Sequence, residues 1–214
     1  MPASFRFWTS SSLVRITGDR AETPGALREL IATCSPTSLF FHTFQVVRDR
    51  HFVRDQYPND LAEWALMSVR DETLAERLAG LDVRRVRSMD ELREQILGVF
   101  DHHFKLHART SGREAREPFY LLQAQTVTVP TQHVAQDPRG FARELRKVSI
   151  DSVAFHFIEA RLRLQLHTND FSQYLRSFGL ERVAEQIDAL DFYASTLYEL
   201  RERIATLVEA GATP

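Results

Sequence analysis

Ser149-Ile-Asp-Ser-Val-Ala-Phe-His156 is the stretch that decides the fold, because the chain carries a second version of it, Ser35-Pro-Thr-Ser-Leu-Phe-Phe-His42. A further signature follows each histidine. It reads Asn169-Asp170-Phe171 after the later stretch and Asn59-Asp60-Leu61 after the earlier one. Self-similarity of this kind indicates an internal structural repeat.

The similarity extends well beyond these two stretches. When the chain is shifted by 114 positions against itself, residues 5–42 align with residues 119–156 without a gap. The first copy then carries four extra residues, since 17 positions separate its histidine from its Asn-Asp pair and 13 separate them in the second copy. The alignment resumes in two later pairs of segments, 74–82 with 183–191 and 91–96 with 199–204.

This alignment predicts a single domain over residues 1–214 that is built from two copies of one unit. Repeat 1 covers residues 5–104, a polar linker covers 105–118, and repeat 2 covers 119–210. We expect the extra residues of the first copy to form a loop at 50–58.

Each unit opens with a segment that has the composition of a β-strand. Residues 5–16 combine aromatic and branched residues with Ser and Thr, and residues 119–129 end in the alternating run Gln-Thr-Val-Thr-Val. Such alternation is typical of a half-buried strand. A lone strand is not stable, so we expect the two segments to pair with each other across a pseudo-twofold axis.

The remainder of each unit predicts about five helices, whose starts carry capping residues. Thr23-Pro24 and Asp137-Pro138 place proline after a cap, which predicts helices at 24–33 and 138–147. Capping boxes open later helices, since a Glu or Gln follows three residues after the cap. The remaining predicted features are caps at Ser35, Ser149, Asp60, Asp170, Ser88 and Thr196, a stop at Gly179, and helices at 72–80 and 181–189.

These elements predict an α+β fold that is mostly helical. It contains two tandem repeats, each with one strand segment and about five helices, and the repeats share a small antiparallel sheet. The axis that relates them would be a pseudo-twofold.

Composition limits the classes of function. The net charge of −2 argues against a general nucleic-acid binder, and no apolar run approaches the length of a membrane span. The lone Cys34 excludes an internal disulfide and a cysteine zinc cluster. The N-terminus lacks a signal-peptide core, so we expect a cytoplasmic protein. Glycine-rich phosphate loops, nucleophile elbows and His-Glu-x-x-His motifs do not occur in the sequence.

The repeated histidines His42 and His156 are the main candidate site residues. Each follows a Phe on an apolar helix. One interpretation is a core histidine hydrogen-bonded to Asn59 or Asn169, because buried polar groups normally have such partners. The other is a ligand-binding histidine that acts with the downstream Asn-Asp pair, where a helix N-terminus favours an anion. Asp60 and Asp170 belong to the same pair and are interpreted first as caps.

Other polar residues occur in one copy alone. Glu159 lies three positions after His156, on one helical face, where the pair could bind metal or perform acid–base chemistry. Arg161 and Arg163 align with Val47 and Asp49 of the first copy. They are interpreted first as solvated surface, and the alternative is an anion site of the second copy. Asp101-His102-His103 and His107 form a histidine cluster at the end of a helix. The spacing of His103 and His107 is compatible with a metal, but the first interpretation is that histidine charge complements the helix C-terminus. We predict no cofactor and no metal site.

The chain resembles a bacterial and archaeal family catalogued as domain of unknown function 5752. The resemblance rests on the runs at 149–156, 159–164, 169–172 and 196–204, and in the first half on 41–43, 59–60 and 91–94. The family pattern often has a second histidine two positions after the one that matches His42. Phe44 stands there in this chain, which argues against a histidine-pair metal site. The resemblance implies fold and size and leaves the function open.

Two functional interpretations follow. The first is a non-catalytic binding or accessory module with a protein partner or a small anionic ligand, since most repeated polar residues are explained as caps. The second is an enzyme or ligand sensor that uses His156, Glu159, Asn169 and Asp170 on a phosphorylated or sugar-like molecule. Neither involves nucleic acid or a membrane.

Overall fold

The computed structural model describes residues 4–45, 57–83, 85–163 and 167–212 of the chain. It is a mostly helical α/β structure with a two-stranded antiparallel sheet, as the repeated strand segments predicted. The expected loop at 50–58 lies outside the described residues except for its last two positions. No helix in the described ranges is long and apolar enough to cross a membrane.

The sheet pairs β1, Phe5–Ala21, with β2, Phe119–Ala135. Both strands are longer than the predicted segments, which ended at residues 16 and 129. Matched threonines lie in the added parts: the Thr17 hydroxyl donates to the Leu121 carbonyl at 2.9 Å, and the Thr131 hydroxyl donates to the Phe7 carbonyl at 2.7 Å. These two hydrogen bonds join the strands in the parts that lie beyond residues 16 and 129.

Most helices of the first half of the chain begin at the expected residues. The caps Thr23, Ser35 and Ser88 each accept a backbone N–H, as predicted. The elements are α1 (Pro24–Thr33), α2 (Pro36–Phe40), a π-helical segment (Phe41–Gln45), α3 (Asp60–Met67), α4 (Glu72–Ala79), α5 (Met89–Leu106) and a 3₁₀ turn (Ala108–Thr110).

The described elements of the second half have a similar order, with one additional short helix after the π-helical segment. Asp137 and Ser149 cap as predicted, and Thr196 forms a complete capping box with Glu199. The elements are α6 (Pro138–Leu145), α7 (Ile150–Val153), a π-helical segment (Ala154–Glu159), α8 (Ala160–Arg163), α9 (Asp170–Arg176), α10 (Glu181–Asp188) and α11 (Leu197–Gly211).

The chain forms two compact units, and each takes part of both strands. One consists of residues 1–12 and 126–214, and the other of residues 13–125. The start of β1 therefore belongs to the unit that contains the helices of the second half. The start of β2 belongs to the unit that contains the helices of the first half.

In the unit of residues 1–12 and 126–214, aromatic rings from β1 fill the core. Phe7 is fully buried, with its ring centroid 5.4 Å from that of Phe141. The Phe5 ring lies 5.8 Å from Phe171 and 5.1 Å from Tyr174. Burial of several aromatic side chains is a large stabilising contribution, and here two of the rings, Phe5 and Phe7, come from the start of β1.

In the unit of residues 13–125, an aromatic ring from the start of β2 packs in the core. The Phe119 ring lies 5.9 Å from Trp64, whose indole N–H donates to the Glu117 carbonyl at 2.8 Å. The predicted linker is also attached to this unit, because the Ala115 N–H donates to the Glu22 carbonyl at 2.8 Å.

The alternating run at the middle of β2 was predicted to be half-buried, and this is wrong. Val127 and Val129 are 62% and 52% exposed. A two-stranded sheet buries a side chain only where a helix packs on that face, and strand alternation alone does not report where the helices lie.

Candidate functional site

His42 is buried and both of its ring nitrogens are hydrogen-bonded. Nδ1 lies 2.7 Å from Oδ2 of Asp60, and Nε2 lies 2.9 Å from the backbone nitrogen of Leu122 in β2. A backbone N–H can only donate, so Nε2 must be the acceptor. The proton of the neutral imidazole is thereby assigned to Nδ1, which donates to the carboxylate.

His156 has the same environment in the other half. Nδ1 lies 2.7 Å from Oδ2 of Asp170, and Nε2 accepts the backbone N–H of Trp8 in β1 at 2.8 Å. The ring is 3% exposed and packs against Phe5 at a centroid distance of 4.9 Å. Each histidine thus links a strand to the first residue of the helix after it.

The helix caps differ from the prediction by one residue. Asn59 and Asn169 are the N-caps, since their Oδ1 atoms accept the N–H groups of Ala62 and Ser172. Asp60 was predicted to be the cap, together with Asp170. Both are instead the first helical residues, where the side chain faces the histidine. Asn and Asp cap equally well, so the local pattern could not distinguish the adjacent positions.

The asparagine amide groups have partners as well. Nδ2 of Asn59 donates to the Leu78 carbonyl at 3.0 Å, and Nδ2 of Asn169 donates to Asp188 at 2.8 Å. One interpretation expected each histidine to be hydrogen-bonded to Asn59 or Asn169, and the structure does not show these bonds. Each histidine binds the aspartate one residue further on.

Both histidines lie in π-helical segments, a feature the sequence did not indicate. His42 lies within Phe41–Gln45 and His156 within Ala154–Glu159. A π-helical turn contains one extra residue and is frequent at functional sites. The residues of a π-helical turn have the same helix propensities as those of an α-helix, so composition cannot predict where such a turn occurs.

Glu159 does not line the cleft described beside His156. The Glu159 carboxylate accepts the Ser10 hydroxyl at 2.9 Å and is 7% exposed. An open cleft of about 320 Å³ lies beside the histidine, and its lining includes Arg6 and Asp170 and does not include Glu159.

Arg161 is fully buried, so its interpretation as solvated surface is wrong. The guanidinium carbon lies 5.1 Å from the centroid of the Phe157 ring and 5.0 Å from that of the Phe192 ring. Stacking on aromatic faces compensates part of the loss of hydration. Burial lowers the pKa of Arg161 to about 10. The side chain of Arg163 lies outside the described part of the chain.

The histidine cluster separates into different environments. Asp101 pairs with Arg28 at 3.0 Å, and His102 is exposed. His103 is buried, and its Nε2 lies 3.0 Å from Oδ2 of Asp71, a residue that the sequence analysis did not single out. The ring centroid of His107 lies 4.8 Å from that of His103. The 32-residue separation of Asp71 and His103 explains why no local pattern joined them.

The surroundings of Asp71 and His103 determine the protonation state of each group. Burial acts to raise the pKa of Asp71, but hydrogen bonds from the Leu74 N–H, His103 and Thr110 hold it below its usual value. Burial lowers the pKa of His103, and the bond to Asp71 opposes this only in part. An ionised Asp71 therefore faces a neutral imidazole that donates from Nε2, and Nδ1 of His103 is the acceptor nitrogen.

This pair lines an open pocket of about 510 Å³, which we name the arginine pocket. Arg113 lies 3.8 Å from Asp71 and donates to the Arg70 carbonyl at 3.4 Å. The pocket is defined by Arg70, Asp71, His103, His107, Arg109 and Arg113.

Arg70 has a backbone conformation that glycine usually adopts. Its φ is 57°, and it is the one non-glycine residue with positive φ in the described ranges. At the matched position of the second half stands Gly179, with φ 76°. Each residue follows the end of a helix, α3 or α9. The left-handed conformation costs a non-glycine residue about 1–2 kcal/mol.

No group of three or more His, Cys, Asp or Glu side chains that could hold a metal occurs in the described part of the chain. In the arginine pocket, the carboxylate that contacts His103 is that of Asp71. Three convergent ligands are the minimum of most protein metal sites.

Comparison with known proteins gives one structural relative. A solved structure, described as the structure of OrfY from Thermoproteus tenax, is similar with a TM-score of 0.88 and 26% sequence identity, over 99% of this chain and 97% of that chain. No curated protein sequence matches the chain. A family model described as a family of unknown function, DUF5752, matches residues 2–209. The chain therefore belongs to this family, and the resemblance noted in its sequence is confirmed.

Proposed function

We propose that the protein is a non-catalytic binding module whose partner is a small anionic ligand or another protein. The hydrogen bonding of His42 and His156 carries this proposal, because both ring nitrogens of each imidazole are engaged. A general base needs a lone pair that can take a proton from the substrate. Each Nε2 lone pair already accepts a strand N–H, which favours a structural role for both histidines.

The other repeated polar residues support the same role. Asn59 and Asn169 each cap a helix and donate their amide N–H to a partner within the same unit. Asp60 and Asp170 each accept from a histidine. Similarity between the halves at these positions follows from common structural needs, so it does not require a pair of active sites.

We propose further that the two halves are tandem repeats, residues 5–104 and 119–210, within one domain over residues 1–214 and related by a pseudo-twofold axis. The histidine geometry supports this, since the distance to the aspartate is 2.7 Å in both halves. We also propose that the module acts in the cytoplasm. Its sequence contains a single cysteine, Cys34, which is buried, and this low cysteine content is compatible with a compartment where thiols stay reduced.

The proposal is tested by incubating the full-length protein with a panel of phosphorylated and sugar-like metabolites. Thermal shift reports binding, and proton and phosphorus NMR of the same samples report conversion. We expect a ligand that raises the melting temperature and stays chemically unchanged. Time-dependent product formation that disappears in His156→Gln would overturn the proposal.

A second candidate function is an enzyme or ligand sensor in the second half. The cleft beside His156 favours it, because Arg6 and Asp170 line the same space and could hold a phosphorylated or sugar-like molecule. The discriminating variant is Arg6→Gln, which leaves the His156–Asp170 bond in place. Loss of ligand binding in Arg6→Gln would support the cleft. Unchanged binding would place the ligand elsewhere.

A further inference from the structure

We propose that the arginine pocket binds a small phosphate-bearing molecule, and that it is the ligand site of this protein. The inference rests on the proposed function, since it assigns a ligand class and a place to the binding module. All of the residues that define the pocket belong to the compact unit of residues 13–125.

Guanidinium groups around the pocket are open to a ligand. In the described ranges, the side chains of Arg70 and Arg109 form no hydrogen bond or ion pair, and both are exposed. Arg113 is 46% exposed and lies nearby. The carboxylate of Asp71 is already bound by His103 and Thr110, and Glu72 is the remaining acidic side chain of the lining. Arginines that can donate two parallel hydrogen bonds are suited to phosphate oxygens.

His103 provides a second, independent observation. The residue is 1% exposed and lines the pocket, and its Nδ1 has no hydrogen-bond partner in the part of the chain that the structure describes. A buried polar atom without a partner is unfavourable in a folded protein. Because Nε2 donates to Asp71, Nδ1 must accept. The atom itself is enclosed, so a ligand hydroxyl, or the proton of a hydrogen phosphate, would bind it only after neighbouring side chains move.

A phosphate site in the arginine pocket would also explain why an arginine, and not a glycine, has the left-handed backbone conformation at position 70. Its position after α3 favours glycine, and glycine is present at the matched position after α9. An arginine there keeps the unfavourable conformation and places a cation at the pocket rim. Backbone strain of this kind is concentrated at functional sites.

The second half contains a matched pocket without these features. It measures about 520 Å³, close to the 510 Å³ of the arginine pocket. With the spacing that aligns Leu74 with Val183, Arg70 matches Gly179 and Asp71 matches Leu180. With the spacing that aligns 91–96 with 199–204, His103 matches Gly211. Two glycines and a leucine thus stand where the first half has Arg, His and Asp.

The test measures phosphate binding by the full-length protein at constant ionic strength, with sodium chloride as the reference salt. Inorganic phosphate and glycerol phosphate are the probes, and calorimetry and thermal shift are the readouts. The variants are Arg109→Gln and Arg70→Gly. The matched control is Arg182→Gln, since Arg182 lines the equivalent pocket of the second half.

We expect saturable binding of phosphate to the parent protein. Arg109→Gln and Arg70→Gly should each weaken it about tenfold or more, the loss expected for a charge-assisted hydrogen bond. Arg182→Gln should bind like the parent. Arg70→Gly also removes backbone strain, so its melting temperature without phosphate should not fall, and lost binding cannot be attributed to misfolding.

The inference is overturned if the parent shows no saturable response to either probe, or if Arg182→Gln loses as much affinity as Arg109→Gln. Binding of glycerol phosphate but not of inorganic phosphate would still support the pocket, provided that Arg109→Gln removes it. Failure of the proposed function is distinguishable, because it appears as chemical conversion in the NMR test of the metabolite panel. Failure of this inference appears as binding that the pocket variants leave unchanged.

Discussion

Nδ1 of His156 lies 2.7 Å from Oδ2 of Asp170, and the same distance separates His42 from Asp60. In both halves the opposite ring nitrogen accepts a backbone N–H from a strand. Each histidine therefore fixes one strand against the start of a helix, and both should contribute to stability in the same way.

Replacement of either histidine by alanine should destabilise the protein by a similar amount. His42→Ala leaves the Leu122 N–H and the Asp60 carboxylate without their partner, and His156→Ala does the same to Trp8 and Asp170. Unsatisfied buried groups cost on the order of 1–3 kcal/mol. Urea melts measure the loss.

The control for this pair is His102→Ala. His102 is exposed, and surface substitutions usually change stability by less than about 0.5 kcal/mol. A normal melt for His156→Ala beside a large loss for His42→Ala would contradict the structural role and favour a site in the second half.

Neither half should fold when expressed alone. A fragment of residues 105–214 lacks Phe7, which is fully buried against Phe141, and lacks the Trp8 N–H that His156 accepts. We expect a weakly structured fragment without a cooperative urea transition, measured by circular dichroism beside the full chain. A fragment that unfolds cooperatively as a monomer would show that the second half does not need β1.

Arg70→Gly should stabilise the protein without phosphate by about 0.5–1 kcal/mol. Glycine removes the strain of a positive φ, which outweighs its greater freedom in the unfolded chain. The reciprocal change, Gly179→Arg, should destabilise by about 1–2 kcal/mol through the backbone alone, because a Cβ at that position meets nothing within 4 Å. Thermal and urea unfolding of the two variants measure these effects. Equal stability of all three proteins would argue against strain at Arg70.

His103 should make stability depend on pH. Its pKa in the folded protein is below the ordinary value of 6.5, because burial disfavours the charged ring and the charges of His107 and Arg77 add to this. The unfolded chain therefore binds the proton more readily. The contribution of neutral His103 is complete above pH 6.5 and is lost as pH falls through the lower folded value.

Urea melts between neutral and mildly acidic pH measure this dependence. His103→Gln should unfold with a smaller loss of stability on acidification than the parent, and His102→Gln should follow the parent. An unchanged pH profile in His103→Gln would mean that other groups cause the acid sensitivity.

Arg161 should stabilise mainly by packing. Arg161→Ala removes a fully buried side chain that stacks on Phe157 and Phe192, and should cost about 2–4 kcal/mol. Arg161→Met keeps most of the volume and avoids burial of a charge, so its cost should stay below about 1.5 kcal/mol. Urea melts distinguish the two. An equal loss in both variants would show that the charge itself is needed.

The features that depend on neighbouring residues could be predicted from the amino-acid sequence. Helix starts at Thr23, Ser35, Asp137 and Ser149 were predictable because a cap bonds to a backbone N–H only three residues away. The two-stranded sheet was predictable as well, since a repeated strand segment has to pair with its copy.

Tertiary structure decided which polar residues meet. The choice between Asn59 and Asp60 as cap depends on where His42 lies, and the partner of His103 comes from 32 positions away. Helix periodicity also gave no sign of the π-helical turns, because that pattern assumes 3.6 residues per turn. Tertiary structure also decided that the start of each strand packs with the helices of the other half of the chain. This arrangement depends on the free energy of packing Phe7 and Phe119 in the folded chain, and no local preference of the sequence encodes it.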